Sequence, residues 1–528
     1  MPAKKKAKKK GGKTGANPSS EPSGVTVRMF CHGLGDCFLI SIPQGGTRPY
    51  VILIDCGIAM GTASETELMK RVTRKIVDLT KDAASKKSTV DLLVVTHEHR
   101  DHVSGFIQGA DELAPIEFKK VWFAWTENRQ DALANELRLK HAKEKATLAR
   151  AFATARSLAA ASRSSSRFLK SLQGVLAFHG AIPAAGGKQV DVAAAMATAG
   201  KLAKSSEPAT LLPGNVLPLP GANEGTARGV QAFILGPPHD GTKLRRINPS
   251  KKTPETYEKK TTTPEPSFAS LGMSWAWAAA MSAQASEAGL GTDQNAGQEA
   301  EQAMPFDAKW RQDLKALEKS KEEFFRRNYF GSDAQRRIDA DWLWSGAQRL
   351  ALYMETYTNN TSLALAFELP ISKKVLLFAA DAQIGNWLSW HEANYKTGDG
   401  RTLNASNLLA NTVLYKVGHH GSHNATLRQQ GVELMTHPEL VAMLPVEKVA
   451  VDRLGYGEMP LESLLKELNK RTEGRILHLD QKWTDGKAPG TWRAGMIKAR
   501  LSGETFEKGA DQRDLYMEYT IPDAPPAA

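Results

Sequence analysis

Short runs in which apolar residues dominate or alternate with polar ones open the readable part of the chain, and they predict strands. Val25 to Phe30 and Cys37 to Ile42 read as two strands joined through the turn Gly33-Leu34-Gly35-Asp36. Tyr50 to Ile54 is a third apolar run and ends in Asp55-Cys56-Gly57. The period then lengthens: Leu68, Val72, Ile76 and Leu79 repeat at helical spacing over Glu65 to Lys81. Val90 to Thr96 and Phe118 to Trp125 return to the buried-strand pattern. Further strands are predicted at Gly214 to Leu219, Gly229 to Leu235, Ser362 to Leu369, Lys374 to Ala380, Thr412 to Val417, Lys448 to Val451 and Arg475 to Leu479. A helix is expected over Leu461 to Arg471.

Two stretches break this pattern. Residues 129–205 are rich in Ala, Lys, Arg and Ser, with a helix-like segment from Asp131 to Leu158. Residues 241–350 mix a Pro/Thr/Lys-rich piece, Trp275 and Trp277, a Gln/Gly/Ala-rich piece and a charged helix from Asp307 to Arg327. Strands resuming after each break point to one β-rich α/β core carrying two largely helical insertions. The expected division is a tail and linker over 1–24, core over 25–126, an insertion over 127–207, core strands over 208–240, a second insertion over 241–354, and the second half of the core over 355–528.

Composition changes this picture little. With 41% hydrophobic and 24% charged residues, the 528-residue chain is ordinary for a globular protein. No uncharged apolar run reaches the ~18 residues of a membrane span, and the lysines at the N-terminus have no apolar stretch behind them, unlike a secretory signal. Cys31, Cys37 and Cys56 are too few and oddly numbered for a disulfide framework; they are expected as small core residues, in keeping with a reducing cytoplasm. The net charge of +12 is concentrated in Met1 to Lys13, whose seven lysines leave +5 for the rest. Such an arm is expected to be disordered. It makes nucleic acid a candidate partner through phosphate contacts, or is simply a solvated end.

The chemistry is concentrated in Thr96-His97-Glu98-His99-Arg100-Asp101-His102. Residues two apart in an extended segment point the same way, so His97 and His99 can grip one ion. A turn after them presents Asp101 and His102 to a second ion alongside. Histidines four apart on one helix face would be a different zinc motif.

His-x-His-x-Asp-His behind a strand resembles the signature of the metallo-β-lactamase superfamily, whose fold is an αββα sandwich. Asp55 matches its early aspartate, which supports the histidine loop. Asp381, after Val375 to Ala380, matches its bridging aspartate, and His419-His420 in Val417-Gly418-His419-His420-Gly421-Ser422 matches its late histidine motif. One branch is closer: Asp36 in Gly33 to Asp36, Pro237-Pro238, Asn359 to Ser362 and His419 to Ser422 resemble the hydrolase domain of bacterial DNA-uptake competence (ComEC-like) proteins. The likeness covers about 25–126, 208–240 and 355–485.

The resemblance implies two divalent ions, zinc or manganese, held by His97, His99, Asp101, His102, Asp381, His419 and His420. It assigns catalytic parts to Asp101, His420 and, from behind the ligands, Asp55. Two ions about 3.5–4 Å apart lower the pKa of a shared water toward ~7, and the resulting metal-bridged hydroxide attacks the substrate. The sequence departs from the superfamily at one point. Where many members carry a third histidine for the first ion, this chain reads Thr358-Asn359-Asn360-Thr361-Ser362. His239 is a candidate substitute, and His423 a candidate substrate contact or part of a helix start. His141, His179, His391, His437 and His478 lack ligand spacing and are expected to be structural or solvent-facing.

The fold class leaves the substrate open. The branch resemblance favours phosphodiesters, nucleic acid among them. A small-molecule ester, lactone or thioester hydrolase is the second reading, with Trp275, Trp277, Trp342 and Trp344 as material for a closed pocket. The third is a binding or sensing module that has lost turnover. Oligomeric state is not legible.

Overall fold

The computed structural model describes residues 24–59, 64–142, 145–146, 190–250, 254–257, 309, 319, 323–328, 357–454, 458–480, 498–502 and 514–524. The Lys-rich tail, most of both expected insertions and all four tryptophans singled out above lie outside them.

The first strands are β1 (Val25–Phe30), β2 (Phe38–Ile42), β3 (Tyr50–Ile54), β4 (Ser88–Val94), β5 (Ile116–Ala124) and β6 (Ala209–Leu211). Then come β7 (Val216–Pro218), β8 (Gln231–Ile234), β9 (Leu365–Glu368), β10 (Val375–Phe378), β11 (Asn394–Lys396) and β12 (Thr402–Asn404). The last are β13 (Thr412–Lys416), β14 (Val441–Leu444), β15 (Ile476–His478), β16 (Lys498–Leu501) and β17 (Tyr516–Ile521). They form an eight-stranded sheet in the order β16-β17-β1-β2-β3-β4-β5-β6 and a seven-stranded sheet in the order β15-β14-β13-β10-β9-β8-β7, with β11-β12 apart. Both sheets are mixed, with parallel pairs at β3–β6 and at β10-β13-β14-β15. The chain is thus an α/β protein. β8 and β9, which flank residues 241–354, pair directly.

One apolar cluster draws on both sheets, with Val27, Ile40, Ile52 and Leu92 joined by Phe367, Phe378, Leu414 and Val441. On the first sheet's other face, Leu39, Leu53 and Leu93 cluster with Met69, Val72 and Ile76 of the helix Glu65–Leu79. On the second sheet's other face, Leu377, Tyr415 and Ala442 cluster with Trp387, Trp390, Leu408 and Leu464. Fully burying side chains of this kind contributes about 1.5–3 kcal/mol each. The scaffold is therefore held together by apolar packing away from the histidines. The three cysteines are buried within these clusters as thiols rather than disulfides.

Two differences from the sequence reading have clear physical causes. Lys448 to Val451 is not a strand but part of the helix Lys448–Leu454. Val449 is 57% exposed, Val451 fully buried, and the Val451 N–H donates to the Glu447 carbonyl, which is helical geometry. The strand at that place in the sheet is β14, whose fully buried Val-Ala-Met-Leu run pairs in parallel with β13 and β15. The second difference is β17, which pairs antiparallel with β1 along its whole length. Its Glu518 is buried against Arg28 at 2.7 Å, so a charged residue hides a core strand. The helices Ile384–Trp390 and Ala405–Ala410 were also not foreseen. Among the described residues no helix is long and apolar enough to cross a membrane.

Candidate metal centre

Parallel strands end on one edge, and the segments singled out by sequence follow such ends. Asp55 follows β3, His97 to His102 follow β4, Asp381 follows β10, and His419-His420 follow β13.

Asp55, buried and at φ 55°, anchors the first loop. Its carboxylate accepts from the Thr96 N–H (2.8 Å), the Thr96 hydroxyl (2.6 Å) and His102 Nδ1 (2.7 Å). Because the Thr96 hydroxyl donates to Asp55, its oxygen is left to accept from His97 Nδ1 at 3.0 Å. Both rings are thereby held with Nδ1 protonated, which turns each Nε2 toward the centre. His97 Nε2 lies 3.0 Å from His99 Nδ1. The short helix Arg100–Val103 then turns Asp101 and His102 inward. Gly57 permits this approach, since a Cβ there would lie 2.3 Å from the backbone of Asp101 and His102.

On the other sheet, His419 (φ 42°) and His420 (φ 52°) occupy consecutive left-handed positions in a turn bounded by Gly418 and Gly421. His420 Nδ1 donates to the Pro445 carbonyl at 2.9 Å, leaving Nε2 at 3.1 Å from Asp101 Oδ2. Asp381 Oδ2 lies 3.2 Å from His102 Nε2 and 3.9 Å from both His97 Nε2 and His419 Nε2.

Three groups result, of which two share Asp381: Asp101, His102, Asp381 and His420 form one, and His97, His99 and Asp381 the other, while Asp36, Asp55 and His102 form the third. In each, the ligand atoms lie within 4.8 Å of one another and every member is buried. Asp381 Oδ2, Asp101 Oδ1 and His102 Nε2 are buried without a hydrogen-bond partner. Orphaned buried polar atoms within one ligand group are costly in a folded protein and suit a cation among them. These residues fit divalent metal.

The electrostatics follow the same geometry. Burial alone would raise the Asp381 carboxyl, but His102 and Lys416 outweigh it and hold it well below the usual range. Asp101 is lowered too, with burial outweighed by His102 and His420. Burial opposes charge on His102 and His420, yet the surrounding carboxylates win and raise both, His102 strongly. His97 is pushed well below its ordinary value by burial and by His102, and His419 is lowered by burial. The Asp55 carboxyl is raised by burial.

Of the residues expected at the site, His97, His99, Asp101, His102, Asp381 and His420 fall in the two groups that share Asp381. His419 lies beside them, 12% exposed, and belongs to neither. Asp55 sits behind the loop with both oxygens engaged by Thr96 and His102. Asn359 stands in the gap left by the third histidine: Nδ2 is 3.3 Å from His419 Nε2, and Oδ1 is buried without a hydrogen-bond partner. His239 does not fill that gap, for it pairs with Asp131 at 2.8 Å and packs on Trp125. His423 lies in a turn, with no helix starting there. His141 approaches Thr358, the neighbour of Asn359, at 3.4 Å, and burial lowers its pKa to about 3.

Two residues were missed as members of the site. Asp36 reaches it from the Gly33 to Asp36 turn, within 3.8 Å of both His102 Nδ1 and His420 Nδ1. Lys416, 1% exposed, bonds Asp36 and lies 3.4 Å from Asp381 Oδ1. A lone lysine inside the apolar run Thr412 to Val417 was the available signal. No protein-family model and no curated protein matches this sequence.

Proposed function

We propose that the chain is a metal-dependent hydrolase of the metallo-β-lactamase αββα type, acting by preference on phosphodiesters, nucleic acid among them. The observation that carries this reading is the pair of buried ligand groups sharing Asp381. Support also comes from the order of motifs along the chain and from a core cluster drawn from both sheets. The core is read as one unit, with residues 127–207 and 241–354 inserted into it.

Two divalent ions, manganese or zinc, would be held by the groups His97-His99-Asp381 and Asp101-His102-Asp381-His420. Bound there, they would supply a water activated at neutral pH and stabilise charge developing on the substrate's oxygens. Asp36, Asp55, Asp101 and Asp381 bring four carboxylates to one buried region that holds Lys416 as its ammonium. In the metal-free protein the raised His102 and His420 add to the balancing positive charge, and divalent cations would take the place of their protons. Asp55 keeps the His97 and His102 rings in the tautomer that offers Nε2. His419 is partly exposed, and its lowered pKa leaves it a neutral imidazole at pH 7. At the edge of the site it is placed to hydrogen-bond the substrate.

The test is elemental analysis of the purified protein, followed by assays on a chromogenic phosphodiester, a lactone and single-stranded DNA, before and after chelation. One to two metal equivalents and chelator-sensitive phosphodiester cleavage are expected. Metal-free protein with full turnover, or turnover of the lactone alone, would overturn the reading.

A further inference from the structure

We infer that Lys416 is a positioning residue that reserves one oxygen of Asp381 for the metal ions; the metal part of this inference rests on the function proposed above. Lys416 ends β13 beside Phe378 of β10, and it shares its strand face with Leu414 in the cluster between the sheets. A lysine on that face needs acceptors for its three N–H donors. Three are present: the Asp36 carboxylate, the Ala380 carbonyl at 3.0 Å and Asp381 Oδ1 at 3.4 Å.

The division of labour on Asp381 follows. Oδ1 faces the ammonium, whereas Oδ2 faces His97, His102 and His419 and has no hydrogen-bond partner. Both ligand groups therefore meet at the same oxygen. The ammonium also holds the backbone at this point. Ala380 is in the left-handed region (φ 49°), and its carbonyl accepts from both Lys416 Nζ and the His419 N–H. Asp36 joins through its own N–H, which donates to the Asp101 carbonyl at 2.9 Å. Lys416 thus connects the loop after β4, the loop after β10 and the histidine turn, which come from two different sheets.

Without this ammonium, both Asp381 oxygens would be available and the carboxylate could rotate to chelate one ion. Lys416→Met keeps the length and removes the charge. Removing one member of a buried ion pair destabilises a fold, whereas removing both is often tolerated, so the double variant Asp36→Asn/Lys416→Met keeps the test open should the single variant fail to fold. Crystal structures of the metal-free wild type and variants should show the Asp381 carboxylate turned from its wild-type orientation. Titration with cobalt(II) should give a changed visible absorption spectrum, and kcat should fall roughly 10–100-fold with KM nearly unchanged. An unmoved Asp381 and a wild-type cobalt spectrum, with only the melting temperature lowered, would overturn the inference. Wild-type protein that takes up no cobalt would refute the proposed function instead, while the metal-free crystal comparison would still decide the positioning claim.

Discussion

Asp101 Oδ2 and His420 Nε2 lie 3.1 Å apart although 319 positions separate them in the chain. With His420 Nδ1 donating to Pro445, that contact needs either a second proton on the imidazole or a cation between the two atoms. Asp101→Ala, His102→Ala and His420→Ala should each remove metal and lower activity by more than about 10²-fold, since lesser changes behind metal ligands already cost 10–100-fold. The His391 ring donates to the Gln430 carbonyl and stands outside both groups, so His391→Ala should leave rate and metal content unchanged. Metal analysis with kinetics checks both halves, and an equal loss in His391→Ala would show that the ligand set is wrong.

Metal uptake should release protons. Burial opposes charge on His102, but Asp381, Asp101, Asp36 and Asp55 hold its pKa well above 6.5. Near neutrality the metal-free protein therefore carries a proton there that a divalent ion must displace. Affinity should rise up to roughly tenfold per pH unit for that one proton, until the raised pKa is passed. In the metal-free protein the same shift stabilises the fold fully below pH 6.5 and is lost as pH climbs through the folded value. Calorimetric titration in buffers of different ionisation enthalpy reads the released proton, and a buffer-independent heat would contradict this account.

Glu127 offers a pH effect away from the ligands. Burial, then the Glu98 charge, raises its pKa from 4.5 to about 7. The unfolded chain ionises this carboxyl first, so its contribution to stability is fully present below pH 4.5 and is lost as pH rises through 7. Glu127→Gln should raise the urea midpoint at pH 8 and leave it nearly unchanged at pH 4. Equal shifts at both pH values would mean that packing, not ionisation, governs the site.

Asn359 is the point at which metal preference can be altered. Its amide is beside His419, and an amide oxygen suits manganese better than zinc. Activity should be higher with manganese, and Asn359→His should tighten zinc binding and move the preference toward it. Titrating metal-free wild type and variant with each ion decides this, and identical affinities throughout would exclude Asn359 from the coordination.

If the substrate is a polyanion, the basic tail is expected to hold it through phosphate contacts. Deleting residues 1–20 should leave turnover of a small chromogenic substrate unchanged while weakening DNA binding and flattening its salt dependence. Unchanged DNA affinity at every salt concentration would separate the tail from substrate binding.

The strands β1 to β5 and the histidine loop were legible because local rules generate them: a period of two, a fully buried run, and ligand-type residues crowded behind a strand end. The order Asp55, His97 to His102, Asp381, His419-His420 was also readable, since each motif is contiguous. Lys448 to Val451 misled because a short apolar run has no fixed period, and only sheet pairing showed that β14 holds that position. β17 was missed because its Glu518 reads as solvent-facing until Arg28, nearly 500 residues earlier, is placed beside it. Which of the two late histidines joins Asp101, that His239 turns away to Asp131, and that Lys416 and Asp36 enter the site all depend on two sheets meeting. Local sequence determined which side chains could serve as ligands; tertiary structure decided which of their atoms face one another, because buried charge is tolerated only where distant segments supply its partners.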